Sequence, residues 1–440
     1  MKYRNRLRSA LRWLIPGMHV KRWLLLLLAG ITIMGLGVAY VLREVYVRWT
    51  FPPIFYYLTL QFIGREWRGL LFGALGLGAI ALATYQLNRS LLSAFLRPGQ
   101  EDVAEAVYKH WQRERGPKIV AIGGGTGLSI LLRGLKEHTT NLTAIVTVAD
   151  DGGSSGRLRR QLGVLPPGDF RNCLAALADA ESLTTQLFQY RFGEGEGLNG
   201  HSFGNLFIVA MAGVTGNFER ALLESSKVLA VRGQILPSTL ENVTLVAELQ
   251  DEGTGGPQTA AQWVEGESQI PESGRPIERV FLQPDDAPAY PDALRAILEA
   301  DLIVAGPGSL YTSILPNLLV EDIVKAIRSS RAKKIYVCNV ATQRGETEGY
   351  SVGDHVAALH RHIGRDVFPH VLANDNFAYA LPSISGVDWV KADVPADAPY
   401  RIFTADLADK IVPWRHDPDK LARWLMAFCE NPNGVHNQGS

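Results

Sequence analysis

The densest chemistry in this 440-residue chain lies between Lys118 and Arg157. A glycine run, Gly123, Gly124, Gly125, Thr126 and Gly127, follows the apolar stretch Lys118 to Ile122. A pair of adjacent acids, Asp150 and Asp151, closes the apolar stretch Leu142 to Ala149 and leads into Gly152, Gly153, Ser154, Ser155, Gly156 and Arg157. Glycines at a strand-to-helix turn let backbone N–H groups and a helix N-terminus reach a phosphate. Two neighbouring carboxylates disfavour joint ionisation unless a cation or donor balances them. Mg²⁺ on one or two carboxylates and phosphate oxygens would do so; alternatively, one aspartate caps the following turn and the other faces water. The stretch reads as a nucleotide or phosphoryl site beside an acidic pair.

Three further groups could serve such a site. Pro166, Pro167, Gly168 and Asp169 precede an apolar helix, Phe170 to Ala180; Asp169 fits its N-cap, and Arg171 and Asn172 would project from its first turn. Gly200, His201, Ser202, Phe203 and Gly204 match G-x-S-x-G, but a nucleophile elbow needs a strand before the serine. The polar, glycine-rich run Gly193 to Asn199 cannot supply one. Serine hydrolysis is therefore rejected, and Ser202 is expected to cap a helix, Phe203 to Ala212, whose N-terminus holds an anion with His201 and Asn205. Finally, the apolar run Leu302 to Ala305 ends in Gly306, Pro307, Gly308 and Ser309, then Tyr311 and Thr312, repeating the strand and glycine turn. Two such turns on one parallel sheet can face each other across a switch point and hold a nucleotide. The order G-G-G-T-G and the paired acids fit an NAD fingerprint poorly, and no Gly-Lys-Ser/Thr follows for a Walker A loop.

The elements that must position these residues alternate. Strand patterns at Lys118 to Ile122, Leu142 to Ala149, Val243 to Leu249, Ile277 to Leu282, Leu302 to Ala305, Lys334 to Asn339 and His370 to Ala373 are interleaved with helices at Leu128 to Lys136, Phe218 to Val231, Pro291 to Glu299, Glu321 to Arg328 and Lys420 to Phe428. That alternation predicts an α/β doubly wound, Rossmann-like parallel sheet over residues 117–430, with 431–440 as a tail.

The first part of the chain is different. Trp23 to Leu42 and Gly69 to Leu87 contain no charged residue, enough at about 1.5 Å per residue to cross a hydrocarbon core. Two transmembrane helices, spans 23–42 and 69–87 of a hairpin over 23–87, are expected. Lys2, Arg4, Arg6, Arg8, Arg12, Lys21 and Arg22 make residues 1–22 a basic block without an acid, which places both termini in the cytoplasm of a multi-pass membrane protein. Residues 88–116 form a juxtamembrane connector with an amphipathic helix from Glu101 to Arg113. Over the whole chain Lys plus Arg and Asp plus Glu both number 44, so no net charge argues for nucleic acid. Cys173, Cys338 and Cys429 are far apart without CxxC spacing, so no zinc site or disulfide framework is indicated.

Taken together, Gly-Gly-Gly-Thr-Gly-Leu-Ser from Gly123, Thr-Val-Ala-Asp-Asp-Gly-Gly-Ser-Ser-Gly-Arg from Thr147, Pro-Pro-Gly-Asp from Pro166 with Arg-Asn-Cys from Arg171, Gly-His-Ser-Phe-Gly-Asn from Gly200 and Gly-Pro-Gly-Ser-Leu-Tyr-Thr-Ser-Ile-Leu-Pro-Asn from Gly306 resemble the YvcK-like family of gluconeogenesis factors. Cys338-Asn339-Val340, Gln343, Gly345, Glu346, Thr347 and Arg415-His416-Asp417 fit as well. The resemblance implies a Rossmann-like fold, UDP-sugar binding, typically UDP-N-acetylglucosamine, and a role in cell shape and envelope-precursor supply. It also implies kinship with the 2-phospho-L-lactate transferase of deazaflavin coenzyme synthesis (CofD), in which the aspartates matching Asp150 and Asp151 lie beside the metal. Arg415 joins the ligand-binding candidates on this ground. The expected function is a membrane-tethered UDP-sugar-binding regulator; the alternative is a Mg²⁺-dependent transferase of a phosphate-linked group, with Asp150 and Asp151 as catalytic, metal-holding residues. A homo-oligomer is left open.

Overall fold

The computed structural model describes residues 20–49, 52–93, 112–179, 182–250, 262–382, 384, 386–393 and 398–432. The chain divides into two compact units, Met1–Trp111 and Gln112–Ser440. In the first, two helices of 29 residues, α1 (Val20–Arg48) and α2 (Arg65–Ser93), flank a short helix at Ile54–Leu58. They contain the two uncharged runs but extend beyond them, α1 to Arg43, Glu44 and Arg48 and α2 back to Arg65, Glu66 and Arg68. Among the described residues no single helix is long and apolar enough to cross a membrane, so the two expected transmembrane helices are not shown. The basic block up to residue 19, most of the expected connector helix and the tail from 433 lie outside the described residues.

The second unit is built on seven parallel strands: β1 (Ile119–Gly123), β2 (Leu142–Val146) and β3 (Gln234–Pro237), then β7 (Leu302–Ala305), β8 (Lys333–Val337), β9 (His370–Asn374) and β10 (Arg401–Ala405). They lie in the order β10-β9-β8-β7-β1-β2-β3. Every residue of β1 and β7 is buried, as in central strands covered on both faces. The chain fills one side of β1 first and then crosses to β7 on the other, so the order reverses between β1 and β7. The intervening β4 (Thr244–Leu249), β5 (Trp263–Glu265) and β6 (Ile277–Gln283) form a separate antiparallel sheet.

The helices that frame the site are α3 (Gly125–Leu135), α4 (Gly153–Leu162), α5 (Gly168–Leu177), α6 (Phe203–Thr215) and α7 (Phe218–Val228). Further along come α8 (Pro291–Glu299), α9 (Glu321–Ser329), α10 (Val352–Ile363) and α11 (Pro418–Glu430). Helix α3 packs on α5 and α11, while α8 packs on α9. Leu128, Leu131, Leu132 and Leu135 put the apolar side of α3 into the core at the spacing of an amphipathic helix.

Three differences from the sequence expectation have physical causes. Helix α3 starts at Gly125, three residues early, so Thr126 and Gly127 belong to its first turn rather than to a loop. Gly152 to Gly156 has the glycine and serine composition of a loop, a poor helix former, yet Gly153 to Leu162 is helical; Gly156 lies so close to the Asp151 carbonyl that a Cβ would sit 1.7 Å from it, and only glycine lets this turn close. Helix α10 was not anticipated, although Ser351 and Asp354 form a full capping box at its start.

The turns after β1 and β7 touch. A Cβ on Gly127 would lie 2.3 Å from the Pro307 carbonyl and 2.8 Å from Gly308 Cα. Asn317 ties the contact from beneath, donating Nδ2 to the Gly123 carbonyl at 3.0 Å and to the Ser313 carbonyl at 2.8 Å. Gly127→Ala is expected to lower stability by about 1–3 kcal/mol, the usual cost of overpacking. Gly213→Ala, in open space on α6, should be neutral or gain up to about 1 kcal/mol. Urea unfolding of both variants checks this; equal midpoints would contradict it.

Candidate functional site

The candidate residues gather at the carboxyl edge of β1, β2 and β7, where four helices begin. Gly124, the N-cap of α3, lies against the Asp169 carboxylate of α5: a Cβ there would be 2.5 Å from Asp169 Oδ2. Gly168, the first residue of α5, lies over α4, where its Cβ would be 2.3 Å from Ser155 Oγ and 2.8 Å from Asp150 Oδ2. Near the start of α6, Asn205 Nδ2 donates to Ser154 Oγ at 3.1 Å and Ser155 Oγ at 3.5 Å. Nδ1 of His201 faces Ser154 Oγ at 2.9 Å. Ser202 caps α6 as expected, its Oγ accepting from the Asn205 amide at 3.4 Å. First-turn amides of a helix have no intrahelical acceptor, so four positive dipole ends face one region.

The acids within this region are rearranged relative to expectation. Asp169 is not an N-cap: α5 starts one residue before it, Pro167 precedes the helix with no side-chain cap, and the Asp169 carboxylate instead accepts from the Gly125 amide. Asp150 Oδ1 accepts from the Gly152 amide at 2.9 Å, and Ser155 donates to the same carboxylate. Asp151 turns to the small sheet, where Ser268 donates its amide to Oδ1 at 2.9 Å. The carboxyl beside Asp150 is therefore Asp169 as well as its chain neighbour. Among the described residues no group of three or more His, Cys, Asp or Glu could hold a metal ion by itself.

The second turn is also internally engaged. The Gly306 amide donates to the Ile122 carbonyl at 2.9 Å, the Gly308 amide to Asn339 Oδ1 at 3.1 Å, and Ser309 Oγ to Gln343 Oε1 at 2.6 Å. Tyr311 and Thr312, expected to offer donors to a ligand, are committed elsewhere. Thr312 donates to Glu346 Oε1 at 2.9 Å, and the fully buried Tyr311 directs its hydroxyl to that of Tyr350, 2.9 Å away. Arg171 is half-buried and donates Nη2 to Asn172 Oδ1 at 2.8 Å, while Arg157 Nη2 donates to the Asn199 carbonyl at 2.8 Å. Arg415 is exposed on the loop before α11, and no hydrogen bond or ion pair of its side chain joins it to these residues.

Two acids were missed as members of this group. Glu346 accepts from Thr312, Gln343 Nε2 at 2.7 Å and the Tyr311 amide at 3.3 Å. Half-buried Glu267 sits in the turn between Gly266 and Ser268 that clasps Asp151; its carboxyl is pushed well up, first by burial and then by Asp150, Asp169, Glu346 and Asp151. Glu346 belongs to the stretch that fits the family resemblance, but nothing in the sequence places it at this edge, and Glu267 carries no signal of its own. Only the fold brings the small sheet and the loop after β8 to this edge.

Burial dominates the titration here. Asp169 is pushed up to about 7, by burial first and then by the Asp150 charge, against the Gly125 amide. Glu346 also rises to about 7, through burial. Asp150 is raised by burial, with the Gly152 amide and Ser155 hydroxyl opposing. His201 is lowered, by burial and then by Arg157 and Arg191. A cavity of about 760 Å³ lies at the opposite, amino end of β1, β2 and β3, lined by residues including Lys118, Asn141 and Gly233. Two charge pairs stand on its rim, Lys118 with Glu299 at 2.9 Å and Arg295 with Asp292 at 3.2 Å.

The raised carboxyls give a signed prediction. The folded chain holds a proton on Asp169 and Glu346 more tightly than the unfolded chain does. Their stabilising contribution is therefore complete below about pH 4 and is lost as the pH rises to about 7. The ligand-free protein should unfold at less urea at pH 8 than at pH 5.5. Asp169→Asn should recover stability at pH 8, by at most about 4 kcal/mol, with little gain at pH 4. An Asp169→Asn profile parallel to the wild type would contradict this.

Comparison with known proteins sets this geometry in a family. The family model described as 2-phospho-L-lactate transferase CofD matches residues 119–420. A Bacillus subtilis protein named gluconeogenesis factor is 48% identical, over 70% of this chain and 97% of its own. A Nostoc sp. protein named for the same factor is 48% identical over 98% of this chain and 95% of its own. The crystal structure of a UPF0052 family protein from Bacillus halodurans superposes with a TM-score of 0.64 at 42% identity, covering 71% of this chain and 99% of that one. The glycine turns, acids and helix starts described above all fall inside the matched span, and the chain belongs to the CofD family, among its YvcK-like gluconeogenesis factors.

Proposed function

We propose that the protein is a membrane-tethered regulator of the gluconeogenesis-factor type that binds a UDP-sugar, UDP-N-acetylglucosamine, and adjusts cell shape and envelope-precursor supply. The observation that carries the ligand reading is the convergence of the α3, α4, α5 and α6 N-termini at the β1/β7 switch point. Open α/β sheets bind nucleotides at such points, and a diphosphate is the anion that several helix starts can share. The sugar and the regulatory role follow the family resemblance, and the gluconeogenesis-factor type follows the names of the Bacillus and Nostoc relatives. The tether rests on the uncharged runs 23–42 and 69–87, the second close to and the first at the length that a hydrocarbon core of roughly 30 Å requires. It also rests on the apolar side chains exposed along α1 and α2, including Ile33, Leu36, Leu70 and Leu75.

The acids favour a second reading, a Mg²⁺-dependent transferase of a phosphate-linked group, related to the activity named in the family model. Asp150, with Asp151 or Asp169, would hold the ion together with phosphate oxygens, an all-oxygen set suited to a hard cation. Bound Mg²⁺ would supply charge neutralisation for those carboxylates and the phosphates. The chain itself would orient the diphosphate through the α3 and α4 amides, and burial raises Asp169 so that near neutral pH it is shared between its acid and carboxylate forms.

Calorimetry with UDP-N-acetylglucosamine, with and without Mg²⁺, tests both readings. Binding is expected, with Gly125→Val weakening it at least tenfold, about 1.4 kcal/mol. Phosphorus NMR should show intact nucleotide for a regulator and cleaved nucleotide for a transferase. No binding at millimolar ligand would overturn the nucleotide reading. Recovery of the full chain in the soluble fraction of lysed cells would overturn the tether.

A further inference from the structure

Arg157, Arg171 and Arg191 meet around the Gly200–His201 turn, and among the described residues no carboxylate forms an ion pair with any of them. Arg157 Nη2 donates to the Asn199 carbonyl at 2.8 Å, and a Cβ on Gly200 would be 2.9 Å from the same nitrogen. Arg191 Nη1 donates to the Gly200 carbonyl at 2.5 Å. An antiparallel bridge between Arg191 and Ser202 holds it there, as does the Phe192 amide on the His201 carbonyl at 2.9 Å. Arg171 arrives from α5. Its Cγ would be 2.8 Å from a Cβ on Gly204, in the first turn of α6, and its Nε is buried without a partner.

Some other arginines in this unit are neutralised by contact, Arg113 by Glu137, Arg232 by Asp179 and Arg279 by Glu248, while Arg159 and Arg275 donate to carbonyl and amide oxygens. Among the described residues none of the three at this turn forms an ion pair. Asp169 and Asp150 act on Arg171 only across space. Two backbone carbonyls and one amide oxygen satisfy a minority of the fifteen guanidinium N–H groups. The remaining forks match a carboxylate or phosphate, and the buried, unpaired Arg171 Nε is costly until an acceptor reaches it. The α6 N-terminus adds its dipole to the same side.

We propose that Arg157, Arg171 and Arg191, with the start of α6, form a second anion site next to the glycine turns, taking the phosphate or carboxylate of a small acidic metabolite. The proposal deepens the nucleotide reading by giving the nucleotide an acidic neighbour, and it rests on that reading only for the sharing of one sheet edge. A phosphorylated sugar and a carboxylic acid offer the same chemistry, so the probes must separate them.

The test titrates the full chain with inorganic phosphate and, separately, with malonate, first without nucleotide and then with UDP-N-acetylglucosamine present. At least one anion should bind saturably; phosphate alone identifies a phosphorylated ligand, malonate alone a carboxylic one. Arg191→Gln, at an exposed position, should weaken that binding at least about fivefold, Arg191→Lys less, and Arg157→Gln combined with Arg191→Gln should abolish it. Thermal melting confirms that each variant is folded. The proposal is overturned if neither anion binds, if folded Arg191→Gln binds as the wild type does, or if the nucleotide displaces the anion competitively. Anion binding with no nucleotide binding would overturn the nucleotide reading and leave this one standing.

Discussion

The contact between two glycine turns at the β1/β7 switch point decides the rest of the architecture. Gly127 sits against the Pro307 carbonyl at a separation no side chain allows, and Asn317 fastens the Gly123 carbonyl to the Ser313 carbonyl below it. Because β1 and β7 are neighbours in a parallel sheet, their turns emerge at the same edge. Close approach then puts α3 beside the residues following β7. Any Cβ at Gly127 would have to push one turn away, and α3 carries Leu128, Leu131 and Leu132 into the core. The local geometry of the site and the packing of the central helix are therefore one constraint.

That constraint creates an electrostatic conflict. Four helix starts favour an anion at this edge, yet the chain places Asp150 and Asp169 there itself, with Glu267 and Glu346 close by. Dipoles and donated amides should lower carboxyl pKa values, and the Gly125 and Gly152 amides do act in that sense. Burial outweighs them: Asp169 rises to about 7. Near neutral pH Asp169 is therefore divided between its two charge states, and added positive charge beside it would favour the carboxylate, added negative charge the acid. The same balance explains why the arginines stand apart, on the Gly200–His201 turn, where their charge is not cancelled by the acids in contact.

Much of this was legible in the sequence, for reasons that differ by residue. The buried strands at 119–123 and 302–305 announce themselves as short apolar runs ending in glycine, and their turns could be paired before the fold was known. Ser202 as a cap followed from the polar loop before it. What failed was local: Gly-Ser-Ser-Gly at 153–156 has loop composition, and its helix is imposed by the tight closure of Gly156 on Asp151. Asp169 looked like a cap because Pro-Pro-Gly precedes it, but its partner is an amide forty-four positions earlier, in a different helix. Tyr311 and Thr312 were assigned outward because they follow a glycine turn; their hydroxyls turn inward to Tyr350 and Glu346, contacts that no local pattern encodes. Glu267 and Arg191 were invisible for the same reason.

The two units bear differently on the site. The Bacillus subtilis relative is matched over 97% of its own length by 70% of this chain, while the Nostoc relative is matched over 98% of this chain. Every residue brought together at the candidate site lies between Gly123 and Tyr350, and the sheet, its helices and the small sheet all belong to the second unit. The apolar side chains exposed along α1 and α2, including Ile33, Leu36, Leu70 and Leu75, offer no hydrogen-bonding group or charge of their own. The tight turns, acids and helix starts of the candidate site are thus all encoded in the second unit, within the stretch that the family model matches.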